Sequence, residues 1–272
     1  MEKTQELLRE IHAVELGILK ECSRVCENSG IPYYLCYGSL LGAVRHGGFI
    51  PWDDDIDIMM PAHRIKDFKK CFLANADKAY FYSDLDTEDT AMVPWVKIRK
   101  NDTTSMPRIL RKIKANWGIC IDIFPYYPIS NRKALQKCKK AAFYLAEGLL
   151  RAEAAKYNKE CSGKLKALSR LPYGLRKLGA RMLLAYLESG SSKSEYIFDG
   201  YMVMKRADIE SGGASLKFED AEFAVPVKFR EYLTLAYGDY MQLPPVEERC
   251  GHDVENGEII WDTCKGAAYY QG

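Results

Sequence analysis

Between Tyr37 and Pro61 the chain reads YGSLLGAVRHGGFIPWDDDIDIMMP, which sets Asp53, Asp54, Asp55 and Asp57 within five residues of one another. The apolar run that holds them predicts a strand. Side chains of a strand alternate between its faces, so Asp53, Asp55 and Asp57 share one face while Asp54, Ile56 and Ile58 take the other. Three neighbouring carboxylates repel, and each is pushed toward its protonated form unless a cation or a basic group sits among them. An all-oxygen donor set suits a hard divalent ion, Mg²⁺ or Mn²⁺ rather than zinc. A solvated acidic turn is the alternative, but its flanks would be polar, whereas these are GGFIPW and IDIMM.

A further acid stands alone in ICIDIF, a run that predicts a buried strand. Asp122 must there be paired or bound to metal, because an unpaired buried charge is expensive. We expect it to join Asp55 and Asp57. Gly38 and Ser39 close the expected strand IPYYLCYGS, just ahead of a short helix over LLGAVRHGG. A glycine and a hydroxyl at such a junction let backbone N–H groups approach an anion, with the helix N-terminus adding partial positive charge. In VPWVKIRK the alternation puts Lys97 and Arg99 on one face, opposite Val96 and Ile98, where two cations would suit a phosphate or carboxylate.

Around these residues the elements can be read in outline. Apolar positions at three-and-four spacing predict an amphipathic helix over residues 4–29, stopped by Gly30. A second helix begins near Ala62, and AYFYS and VPWVKIRK predict two more strands. The stretch NDTTSMPRILRKIKANW reads as a polar, basic connection. Residues 131–190 change character, with fourteen Lys or Arg against four Glu and no Asp, a formal +10 that leaves −8 for the rest of the chain. They predict basic helices fit to lie against anionic headgroups or an anionic polymer. Beyond them come a strand in EYIFDGYMVMKRADI, a hairpin in FEDAEFAVP and a helix in VKFREYLTLAY closed by Gly238. His252 then lies in a Pro-rich loop that could reach the acids, although a lone loop histidine is more often simply exposed. The fold class expected is α+β, a mixed sheet flanked by helices with a basic helical insertion: 1–130 as the core, 131–190 inserted, and 191–272 completing the core.

The 272 residues are enough for a substantial core, and 47% hydrophobic with 28% charged residues is ordinary for a globular protein. The N-terminal stretch mixes charges through its apolar positions, unlike a secretory signal, and no stretch reaches the roughly 18 apolar residues of a membrane span. Nine cysteines without a CxxC pair read as reduced thiols, so a cytoplasmic location is expected, peripheral at the inner face of the membrane if the basic helices engage lipid.

Glycine-serine ending one strand, Asp-x-Asp on the next and a third acid on a later strand resemble the nucleotidyltransferase superfamily that includes the DNA polymerase β-like enzymes. In that arrangement Asp55 and Asp57 could bridge two metal ions about 3.5–4 Å apart, with Asp122 on the ion nearer the nucleophile. The longer string YGSLLGAVRHGGFIPWDDDID, with WVKIRK, IDIFPYYP and YGDYMQLPP, resembles the LicD family, to which the vertebrate fukutin-related sugar-phosphate transferases are also similar. The likeness covers residues 31–128 and 217–253. It implies metal ligation by Asp55, Asp57 and Asp122, phosphate contact by Gly38 and Ser39, and a place for Asp53 on the metal or behind its ligands. The activity it implies is transfer of a phospho-alcohol, phosphocholine foremost, from a CDP-activated donor such as CDP-choline to a hydroxyl of a cell-surface glycan or its lipid-linked precursor; no nucleic acid partner is expected. Asp122 or Asp53 would take the hydroxyl proton. Arg45, Lys97 and Arg99 would meet the donor phosphates, and Trp52, Trp95, Tyr126 and Tyr127 are candidates to cage a quaternary ammonium. Two other readings stand beside this one: transfer of a nucleoside monophosphate to a small molecule or protein, and a non-catalytic, membrane-associated binder of glycan or lipid.

Overall fold

The ICIDIF run does form the buried strand at the centre of the sheet. The computed structural model describes residues 2–158, 160–190, 193–249 and 258–271. In chain order, α1 (Glu2–Asn28) leads to β1 (Tyr34–Leu35), α2 (Tyr37–Arg45), β2 (Asp57–Pro61), α3 (Ile65–Asn75), β3 (Tyr80–Ser83), β4 (Val96–Lys100) and β5 (Thr104–Pro107). There follow β6 (Cys120–Ile129), the helices α4 (Lys133–Arg151), α5 (Gly163–Ser169) and α6 (Tyr173–Glu188), then β7 (Tyr196–Phe198), β8 (Val203–Lys205), α7 (Arg206–Glu210), β9 (Ala214–Phe218), β10 (Ala221–Val225), α8 (Phe229–Tyr237) and β11 (Ile259–Asp262).

Seven strands make one mixed sheet in the order β1-β2-β6-β4-β3, with β7 added to β6 and β8 to β7. Only β2 and β6 run parallel. One edge of β6 takes β2. Along its other edge β4 pairs with Cys120–Ile123 and β7 with Tyr127–Ile129, so the chain after the insertion returns to the same sheet. The apolar stripe of α1 predicts its packing: Ile11, Ile18, Leu19, Cys22, Val25 and Cys26 are buried with β-strand residues such as Ile58, Ile98 and Ile121. Each such side chain contributes about 1.5–3 kcal/mol by leaving water. The fold is the α+β architecture expected, a mixed sheet flanked by helices.

Four local expectations are corrected. The acidic strand starts at Asp57, so Asp53–Ile56 is irregular backbone, tied down where the Asp122 N–H donates to the Ile56 carbonyl at 2.9 Å. The strand expected to end at Gly38-Ser39 is two residues long, and helix begins at Tyr37. The basic connection contains β5, which pairs antiparallel with β11. Residues 131–190 are helical and rich in basic side chains, yet two of those are internal. Lys139 donates to the carbonyls of Pro128 and Leu187, each at 2.7 Å, and of Ser189, fastening the end of α6 to the end of β6. Arg176 is buried against Glu153 and the carbonyls of Leu149 and Leu171. The hairpin β9–β10, helix α8 and its left-handed Gly238 stop (φ 68°) follow the expectation. Among the described residues no helix is long and apolar enough to cross a membrane, and every cysteine is a free thiol.

Candidate functional site

The site is built on the β2–β6–β4 triplet. In register, Asp57 of β2 lies opposite Asp122 of β6, and Asp122 lies opposite Lys97 of β4, giving a row of two carboxylates and an ammonium across three strands. Lys97 Nζ donates to Asp122 Oδ1 at 2.5 Å. Burial pushes the Asp57 carboxyl well above the usual carboxylate range, and Asp55, Asp122 and Asp53 push it further, with only Lys97 opposing them. Burial pulls Lys97 down, but the Asp122 carboxylate outweighs it and the ammonium is held above its ordinary value.

Two clefts flank this row. The larger, of about 740 Å³, is lined by Asp53, Asp55 and Asp57 together with Gly38 and Arg45. The smaller, of about 500 Å³, is lined by Asp54, Asp55 and Asp122 with Lys97 and Arg99. Asp53, Asp55 and Asp57 thus line one cleft although the segment before Asp57 is not a strand, and Asp55 faces both clefts.

The flanking elements hold the acidic segment in place. The Asp57 N–H donates to Ser39 Oγ at 2.7 Å, and Ser39 is buried. Ser39 was expected at a phosphate; its hydroxyl instead ties α2 to the first residue of β2. Gly38 does line the larger cleft, and a Cβ there would lie 2.7 Å from Asp53 Oδ2, so a larger residue would displace the Asp53 carboxylate from its place beside the first turn of α2. From α1, His12 Nε2–H donates to the Asp53 carbonyl at 2.7 Å, and its ring stacks on Phe49 at 3.8 Å. One turn further on, Glu15 is 1% exposed. Its carboxyl is raised well above the usual range by burial and then by Asp55.

Arg45 sits over the larger cleft and donates to the Tyr240 carbonyl at 3.1 Å; burial and the neighbouring Arg249 lower its pKa. The loop after Gly238 brings Tyr240 and Pro244 to the cleft wall, and the Arg249 guanidinium lies 5.5 Å from the Trp52 ring centre. Lys97 and Arg99 line the smaller cleft together, but neither is idle: Arg99 donates to the Gly118 carbonyl at 2.9 Å and has Glu88 at 3.9 Å.

Of the aromatic candidates, Trp52 lines the larger cleft and Trp95 the smaller. Tyr126 and Tyr127 belong to the core, with Tyr126 donating to Glu210, because the last residues of β6 are paired with β7 and packed against α6. Aromatic walls of the larger cleft come from Tyr37, Phe124, Tyr201, Tyr237 and Tyr240 instead. Tyr37 adopts φ 45°, unusual for a bulky side chain, and is held there by its hydroxyl, which donates to buried Asp199 at 2.7 Å. His252 lies outside the described residues.

His12, Glu15, Tyr37 and Asp199 were not read from the sequence. Glu15 had a signal, since it occupies the buried face of α1 four residues after Ile11. The other three carry none short of the fold.

The donors around Asp57 are all oxygen and carry surplus negative charge, which fits a hard divalent cation in kind. Among the described residues, however, no three acidic, histidine or cysteine side chains stand close enough together to form a finished metal site, and Lys97 is bonded to Asp122.

A mixed sheet with Asp55 just ahead of one strand and Asp57 at its head, a third Asp on its parallel neighbour and a glycine at an adjoining helix start is the arrangement expected of a nucleotidyltransferase-type domain. The family model of the LicD/FKTN/FKRP nucleotidyltransferase domain matches residues 30–149, and over that stretch the chain resembles the LicD family. It is similar to the lipopolysaccharide cholinephosphotransferase LicD of Haemophilus influenzae, with 26% identity across 93% of this chain and 98% of that protein. It is also similar to the ribitol 5-phosphate transferase FKRP of mouse, with 30% identity across 42% of this chain, and of human, with 51% identity across 16% of it. The match spans 21% of the mouse protein and 10% of the human one.

Proposed function

We propose that the protein transfers a phospho-alcohol, phosphocholine foremost, from a CDP-linked donor to a hydroxyl of a cell-surface glycan or its lipid-linked precursor. The observation that carries this is the placement of Asp57 directly opposite Asp122 across the parallel pair, with Asp55 between two clefts large enough for two substrates. The printed activities of the relatives, cholinephosphotransferase and ribitol 5-phosphate transferase, supply the group moved.

Asp55, Asp57 and Asp122 would hold Mg²⁺ or Mn²⁺. A divalent cation bound there neutralises the diphosphate and lowers the pKa of an attacking hydroxyl. The chain's own groups do the rest. The donor lies in the larger cleft, its phosphates near Arg45 and the N-terminus of α2, where Gly38 leaves the backbone open. The aromatic walls there suit a quaternary ammonium. From the smaller cleft the acceptor hydroxyl gives its proton to Asp122. Its oxygen bonds to the distal phosphorus, and the bond from that phosphorus to the bridging oxygen breaks, its electron pair leaving with CMP.

The insertion is part of the same reading. Leu175, Leu178, Met182 and Tyr186 form one exposed stripe on α6, in a segment of formal charge +10. That combination suits an anionic lipid surface bearing the acceptor.

Incubation with Mg²⁺ and CDP-choline, CDP-ribitol or CDP-glycerol tests the assignment. CMP release from one of the three is the expected result. Labelled nucleotide on an acceptor with release of diphosphate would replace it with nucleotidyl transfer.

A further inference from the structure

Three rings that meet at one corner of the larger cleft come from distant parts of the chain. Tyr37 stands at the start of α2, Phe124 on β6 and Tyr201 in the turn between β7 and β8, and all three line the cleft. They meet edge to face, with ring centres 5.4 Å apart for Tyr37 and Phe124, 6.1 Å for Tyr37 and Tyr201, and 6.3 Å for Phe124 and Tyr201. Phe124 follows Asp122 by two residues on one strand, so both project from the same face. The corner therefore adjoins the acids of the site.

One buried carboxylate fixes two of these rings. Asp199 Oδ2 accepts from the Tyr37 hydroxyl at 2.7 Å, and Oδ1 accepts from the Tyr201 and Met202 N–H groups at 2.9 and 2.7 Å. Burial raises the Asp199 carboxyl above its ordinary value, and these bonds oppose that cost. Tyr37 depends on the tie, because φ 45° is a conformation that a bulky side chain keeps only when its surroundings impose it. Tyr201 depends on it too, since its ring is exposed at the cleft and packing covers only part of it. The insertion supports the same turn from behind. The Phe143 ring of α4 stands edge to face on Tyr201 with centres 5.7 Å apart, and it packs so closely on Gly200 (φ 108°) that a Cβ there would collide with it. Asp199 lies behind the rings, 1% exposed, and what it determines is where they stand.

We propose that Asp199 is a positioning residue of the larger cleft: by holding Tyr37 and Tyr201 in place against Phe124 it shapes the corner that receives the alcohol end of the donor. This rests on the transfer reading above and adds to it a residue that acts through two others.

The test is steady-state CMP release by the full chain from the CDP-alcohol it uses best, with CMP, which lacks the alcohol, as a competing inhibitor. Asp199→Ala should raise the donor KM at least tenfold, and more than it lowers kcat, while the inhibition constant of CMP shifts less than threefold. Tyr37→Phe, which removes only the hydroxyl, should raise the same KM at least fivefold, and it carries the test if Asp199→Ala does not fold. The double variant should be no worse than Asp199→Ala within twofold, because both changes break one link. Asp199→Asn should return the KM to within threefold of the parent, since its amide oxygen can take the two N–H groups and its NH₂ can donate to the Tyr37 hydroxyl. A lowered thermal midpoint with an unchanged donor KM makes Asp199 structural only and overturns the proposal. Equal losses for donor and CMP, or an Asn variant as impaired as Ala, overturn it as well. In each of those outcomes the parent still releases CMP and the transfer reading stands; no CMP from any CDP-alcohol overturns both.

Discussion

Asp57 is the side chain whose ionisation is least comfortable and whose removal should be most informative. Its surroundings raise its pKa through burial and three like charges, an arrangement that costs stability and that the proposed function would use to hold a cation. Asp55→Asn, Asp57→Asn and Asp122→Asn should each lower the rate of CMP release by about 100-fold or more, which is about 3 kcal/mol of transition-state stabilisation. Asp57→Asn should do so with a thermal midpoint at or above that of the parent, because it relieves the crowding. A lower midpoint would make Asp57 a structural residue. Asp57 and Asp122 were legible because a carboxylate between two isoleucines needs an explanation on sight, and Asp55 because it belongs to a run of adjoining acids. Ser39 was half legible: the sequence marks the junction, but only the fold shows that its hydroxyl serves the Asp57 N–H. Asp199 gave no signal, since an Asp before Gly200 reads as an ordinary turn and its partner Tyr37 is 162 residues away.

Among the elements, the insertion helices yield the clearest energetic statement. Arg176 is 1% exposed and donates to Glu153 and two carbonyls. Burial opposes ionisation of Glu153, but its bonds to Lys156 and Arg176 prevail and hold its pKa below the ordinary 4.5. A depressed acid contributes stability that is present above its unfolded value and is lost as pH falls through its folded one. The insertion should therefore lose stability as pH drops below 4.5. Arg176→Met, which strands Glu153 with Lys156 alone, should cost about 3 kcal/mol at neutral pH and flatten that acid limb, as read by thermal melts across pH. The exposed stripe of α6 makes a separate prediction. Leu175→Glu with Met182→Glu should abolish co-sedimentation with vesicles of anionic lipid while leaving the melting temperature unchanged; equal sedimentation of both forms would remove lipid from the partners. Helix α1 could be read because its apolar spacing persists through seven turns, whereas β5 and β11 could not. Each has four residues, too few for a period to show, and they pair across 152 or more positions of sequence.

At the scale of the whole molecule, neither cleft could be seen in the sequence. The smaller one assembles Glu15 of α1, Asp122 of β6, Arg151 of α4 and Trp261 of β11, residues that only the completed fold brings together. What the sequence did give away was the shared wall, because the acids that divide the clefts are contiguous. That wall dictates a kinetic order. If, as proposed, the donor lies on one side of Asp55 and the acceptor on the other, both substrates can be present at once, and the phosphorus can pass directly between oxygens with no nucleophile from the chain intervening. Among the described residues no serine, cysteine or histidine lines the larger cleft to take the group, and Ser39 is buried behind it with its oxygen engaged. Initial rates measured against both substrates should therefore give double-reciprocal lines that intersect, with no labelled protein recovered after denaturing quench of a turnover mixture containing donor labelled at the distal phosphorus. Parallel lines together with a phosphorylated chain would mean that the group rests on the protein between the two clefts, and Asp55, the one carboxylate facing both, would become the first residue to search.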